Sequence, residues 1–134
     1  MKNVGAVLLA FISASIVVMA IESLQFTDME SPGKDASWED IEEYIQNLPL
    51  ISFIKVIAAH ALGALVGGLV ARWVSGSDTN VAAWIFGGLF LGVTIINLFA
   101  IPHPLWFSIV DIIVILPFTF LGLSIANRYL KKKK

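Results

Sequence analysis

Glu22, Lys55, His60, Asn97 and Asp111 stand inside long apolar stretches of this 134-residue chain. At mid-membrane a charged group costs about 2.5 to 3.5 kcal/mol unless it is paired or wetted, so such residues point to ion pairing, proton exchange or solute binding. Lys55 with Glu22 and Asp111 would make a cluster of one base and two acids, with Asn97 donating and accepting hydrogen bonds around it. If all three ionise, net negative charge remains, which suits a proton or a cation. The competing reading is a static ion-pair network that fixes helix register, with Glu22 and Lys55 snorkelling to the interface. His60 lies near the middle of its stretch, where it would relay protons, ligate a metal or hydrogen-bond across helices. His103, between Pro102 and Pro104, marks a rigid outer turn.

Other chemistries find little support. The chain has no cysteine, which removes disulfides, thiolate metal sites and a thiol nucleophile. Gly-x-Ser-x-Gly, His-Glu-x-x-His and phosphate-cradling loop signatures are absent. Glu22, His60, His103 and Asp111 are metal-ligand types, but no His-x-x-His or Glu-x-x-His spacing joins them, so no metal and no cofactor is expected. Nothing suggests a nucleic-acid partner.

Positioning falls to four continuously apolar stretches, roughly residues 4–24, 50–74, 81–101 and 105–127, each long enough for the ~20 residues that cross a bilayer. Continuous rather than alternating apolar residues predict helices and exclude a barrel. With 57% hydrophobic and 14% charged residues, and a mean hydropathy of +0.84, one membrane domain accounts for residues 1–134. The predicted fold is therefore an all-α, four-helix transmembrane bundle, with the bilayer as its first partner.

Charge is strongly segregated although the net charge is only −1. Asp28, Glu30, Asp35, Glu39, Asp40, Glu42 and Glu43 crowd an acidic loop over residues 25–49. Lys2, Arg72, Arg128 and Lys131 to Lys134 flank the opposite ends of the spans. The positive-inside rule then puts both termini and the turn at 75–80 in the cytoplasm, the acidic loop outside, and the protein in a plasma (inner) membrane. The basic tail over 128–134 reads as a topology anchor that can touch anionic lipid. A cleaved signal peptide ending near Val18-Met19-Ala20 fits less well, because the apolar run exceeds the ~7 to 15 residues of such segments.

Within the acidic loop, Trp38, Ile41, Ile45 and Leu48 share one face of a predicted amphipathic helix, opposite Glu39, Asp40, Glu42 and Glu43. Ser37 and Asp40 resemble a capping box, and Pro49 permits a break before the second span. Gly63-xxx-Gly67 with Ala64-xxx-Gly68, and Gly88-xxx-Gly92, would let helix backbones approach, either within the bundle between spans two and three or between copies in a homo-oligomer. Pro117 predicts a kink in span four.

The segments AHALGALVGGLVAR (59–72) and INLFAIPHPLWF (96–107), with the acid closing the first span in VMAIES, resemble a family of small bacterial four-span integral membrane proteins of unassigned function. Exporters of the small multidrug resistance family share the length, the span count and a glutamate in the first span. Theirs lies deep, whereas Glu22 is near the outer end. The sequence thus favours a structural or partner-binding membrane component with a buried polar layer, its protein partner meeting the acidic outer loop. A small oligomeric transporter or channel for protons, cations or small molecules is the alternative, and an enzyme acting on lipid or quinone a remote one.

Overall fold

Lipid offers the main chain no water to bond, and helices satisfy it internally. The computed structural model describes residues 2–24, 29–76 and 79–131. Asp28 of the acidic loop and Lys132 to Lys134 of the basic tail lie outside the described residues. Among the described residues five helices form: α1 (Lys2–Glu22), α2 (Trp38–Gln46), α3 (Leu50–Ser75), α4 (Val81–Ala100) and α5 (Leu105–Lys131). All except α2 are long and apolar enough to cross a membrane, and no strand occurs among the described residues. The chain is an all-helical, multi-pass membrane protein in architecture.

Helix α3 is the hub, packing against α1, α4 and α5, while α4 also touches α1 and α5. Small side chains explain how one helix serves three neighbours. Ala6, Ala10 and Ala14 form a fully buried stripe on α1 at i, i+4, i+8 spacing. Where α1 crosses α3, a Cβ on Gly63 would stand 2.9 Å from the Val18 side chain and 3.3 Å from the Ala14 carbonyl. Gly68 lies against the main chain at Thr119, and Gly122 against the Leu65 carbonyl, so α3 and α5 meet backbone to backbone. Gly67 vacates the space that the Phe86 ring fills. Around it, Phe86 and Phe90 stack at 5.4 Å, Phe11 meets both edge-on, and Ile115 and Leu123 complete the core.

The second small-residue pair behaves differently from expectation. Nothing within 4 Å would meet a Cβ on Gly88 or Gly92, so neither packs inside the bundle. The inward stripe of α4 is set one residue earlier, through buried Ala83 and Gly87, and Gly87 faces Thr119. Large aromatic residues at Phe86 and Phe90 claim the core and rotate Gly88 outward.

Helix α2 starts at the predicted capping box. The Asp40 amide donates to Ser37 Oγ at 3.2 Å, and the Ser37 amide donates to Asp40 Oδ2 at 2.8 Å. These bonds from Ser37 hold the Asp40 carboxyl below its ordinary range. Buried Ile45 packs with Ile41, Tyr44 and Leu48 onto Phe53 and Phe107 at the N-terminal ends of α3 and α5. Trp38 departs from the predicted face and is 55% exposed. In the first turn its side chain leans back past the helix start, and Tyr44 supplies the contact instead. Beyond Pro49, α3 begins directly; it ends at Gly76, whose φ of 57° is the left-handed conformation that glycine adopts cheaply. Helix α5 runs unbroken through Pro117.

Candidate functional site

Asp111 is completely buried on α5, and both its carboxylate oxygens lie 2.8 Å from Nδ1 of His60 on α3. The parallel run of α3 and α5 makes this pairing possible. Counted from the helix starts at ~1.5 Å per residue, His60 should sit about 6 Å deeper than Asp111. Side chains lean toward the helix N-terminus, which is the same end for both, and the longer imidazole spans the difference. Facing a carboxylate, Nδ1 carries the proton, which leaves Nε2 as the second proton-exchanging atom of the ring. The imidazole edge also meets the Phe90 ring at 6.3 Å, so the aromatic stack of the core forms the floor beneath it.

The pair borders a cavity of about 220 Å³ to which all four long helices and the turn between α4 and α5 contribute. Its polar lining comprises Glu22, His60, Thr94, Asn97, His103 and Asp111, with Val56, Leu98 and Phe107 among the apolar walls. Thr94 donates its hydroxyl to the Phe90 carbonyl at 3.1 Å, which leaves the oxygen able to accept. His103 is held in the outer turn by Nδ1, 2.9 Å from the Ile101 carbonyl, and its ring stacks on Phe107 at 5.0 Å. Burial depresses the His103 pKa, opposed by the Ile101 carbonyl and by the Asp111 charge. A second cavity of about 160 Å³, lined by Tyr44, Leu48 and Lys55 among others, shares Val56, His103 and Phe107 with the first and extends it beneath α2.

Lys55 takes a place other than the predicted one between the two acids. Its Nζ donates to the main-chain carbonyls of Glu22 at 3.1 Å and Leu24 at 2.9 Å. These are among the orphan acceptors at the end of α1, where a cation also meets the negative end of the helix dipole. His60, which the count placed on another level, is the residue that reaches Asp111. Glu22, Asn97 and His103 line the same cavity, but Glu22 and Asn97 are exposed rather than buried as expected, each standing near a helix end. No cluster of three or more potential metal ligands occurs among the described residues.

No protein-family model, curated protein or solved structure matches the chain. Its own chemistry must carry the functional reading.

A second polar layer sits at the opposite end of the bundle. Arg72 in the last turn of α3 is only 8% exposed; its Nε donates to Asn127 Oδ1 on α5 at 2.6 Å. Asn127 Nδ2 in turn donates to Asn80 Oδ1, the residue before α4, at 3.3 Å. Buried Ser75 returns its hydroxyl to the Arg72 carbonyl at 3.0 Å. Sequence reading took Arg72 as a topology marker alone and passed over Thr94 and Asn127. A signal existed in the spacing, because Thr94 lies one turn from Asn97 and Asn127 lies on the last turns of its span.

Proposed function

We propose that this is a multi-pass protein of a bacterial inner membrane, with both termini cytoplasmic, whose outer-level cavity binds and exchanges protons or small cations. The supporting observation is the His60–Asp111 pair: a fully buried carboxylate and a histidine, placed on a polar cavity rather than sealed among apolar side chains. A network serving register alone has no use for an adjoining cavity lined by Glu22, Asn97, Thr94 and His103. Ionisable residues at such depth, each with a named partner, are the strongest functional pointers a membrane helix offers. In this reading Asp111 fixes the imidazole, Nε2 takes and returns a proton, and Glu22 with Asn97 coordinates the arriving ion.

Next to the pair stand the stacked Phe86 and Phe90, and the arrangement is read as a binding station rather than an open pore. Complete passage across the bilayer would call for rearrangement or a second copy. The resemblance to small four-span bacterial proteins agrees with the size and place assigned here. A second reading, a static membrane component that recruits a protein partner, is favoured by one observation: α2 caps the outer end while Glu39, Asp40, Glu42 and Glu43 remain exposed.

Purified protein in liposomes enclosing a pH-sensitive dye distinguishes the two. The exchange reading expects proton movement above that of protein-free liposomes under a pH or cation gradient, abolished in Asp111→Asn. Flux equal to protein-free liposomes would leave the static component as the answer.

A further inference from the structure

The Arg72 guanidinium is buried, yet its Nη1 has no hydrogen-bond partner among the described residues. Guanidinium groups taken out of water are ordinarily forked onto a carboxylate or phosphate, because an uncompensated buried charge is unfavourable. Here Nε is engaged by the neutral Asn127 amide, which orients the group without cancelling its charge. The same hydrogen-bonded chain leads through Asn127 to Asn80, the N-cap residue of α4. Asn80 makes no side-chain cap to the first amides of α4, its Oδ1 accepting from Asn127 Nδ2 instead. An uncapped helix start with its positive dipole end and a buried, half-used arginine therefore converge at one end of the bundle.

We propose that the inner ends of α3, α4 and α5 form a phosphate-binding site in which Arg72 Nη1 and the first amides of α4 hold the anion. Phosphate oxygens match the fork of arginine and accept from main-chain amides at a helix start. Two sources carry this group, free phosphate and an anionic lipid. An apolar groove of about 330 Å³ runs beside the site, lined by Leu69, Trp73, Ala126, Tyr129 and Leu130, on the turns that carry Arg72 and Asn127. A groove of that size takes a stretch of acyl chain, so the phosphodiester of a lipid fits the whole surface better than a free ion. Exposed Arg128 and Lys131 add diffuse attraction, but only Arg72 is buried.

The full-length protein in detergent is tested by native mass spectrometry with phosphatidylglycerol and with zwitterionic phosphatidylcholine. In parallel, its melting temperature is measured with inorganic phosphate against chloride at equal ionic strength. Expected is preferential retention of phosphatidylglycerol, weakened about tenfold in Arg72→Gln by loss of a charge-assisted hydrogen bond, and much less in Arg128→Gln. Stabilisation by inorganic phosphate as well would assign the site to the phosphate group alone; stabilisation only by the lipid would assign it to lipid. Because the wild-type arms need no variant, a folding defect in Arg72→Gln does not blunt the test. The proposal is overturned if neither source is preferred over its control. Equal losses in Arg72→Gln and Arg128→Gln would overturn it too.

Discussion

Replacing His60 with leucine should be among the most damaging single changes in this bundle, and the reason is Asp111. That carboxylate is fully buried, and His60 stands 2.8 Å from both of its oxygens. Removing one partner of a buried pair typically costs ~3 to 5 kcal/mol, since the other is left without compensation. The polar cavity beside the pair admits some relief by water, so the lower end applies, ~3 kcal/mol, or roughly a hundredfold in the folding equilibrium. His60→Leu combined with Asp111→Leu removes the stranded charge and should recover ~2 kcal/mol of that loss relative to additive behaviour. Unfolding of purified protein by a denaturing detergent in mixed micelles, followed by tryptophan fluorescence, measures all four members of the cycle. Additivity within ~0.5 kcal/mol would refute the claim that the two residues act as a unit.

Leucine at Gly68 or Gly122 should cost ~3 kcal/mol or more by driving α3 off the α5 backbone, whereas Gly88→Leu and Gly92→Leu should be near neutral; comparable melting losses at all four sites would contradict the assigned helix faces. Ser37→Ala should speed amide hydrogen exchange in the first turn of α2 about fivefold at neutral pH. Because the Asp40 carboxyl titrates below its unfolded value of 3.8 when bonded to Ser37, its support is complete above that pH and fades as pH falls further; wild-type protection already lost at pH 6 would be inconsistent. His103 should titrate below 6.5 by NMR, because burial favours the neutral ring, so its contribution to the outer turn is present above 6.5 and lost on acidification through the depressed midpoint. A midpoint above 6.5 would show that the Ile101 carbonyl and the Asp111 charge together outweigh burial.

Span number, the capped helix in the acidic loop and the identity of most cavity residues were legible in the sequence, because length, continuous apolarity and cap chemistry are local properties. Pairing was not. Lys55, Glu22 and Asp111 stood at matching depths when residues were counted, but depth ignores azimuth and side-chain reach. Lys55 turned to the carbonyls closing α1, and the imidazole of His60 leaned outward to claim Asp111. The glycines failed in a similar way: Gly63, Gly67 and Gly68 lie where neighbours approach, while the same spacing at Gly88 and Gly92 faces outward. A motif of small residues marks where a helix is thin, and only the surrounding bulky residues decide which side is used. Arg72 was hidden because a cation at a span end already had an explanation in topology.

The glycine contacts that join α3 to α5 also divide the molecule mechanically. Two helices touching main chain to main chain at Gly68 and Gly122 have no soft layer of side chains between them, so they translate and tilt as a single plank. His60 and Asp111 are both fixed to that plank and stay together whatever the rest does. Glu22 belongs to α1, and Thr94 and Asn97 to α4, which meet the plank through alanines and aromatic rings. A change of cavity shape that preserves the fold is therefore expected from α4, which packs least extensively and carries Thr94 and Asn97, and from the turn that carries His103, moving against a stationary histidine–carboxylate pair.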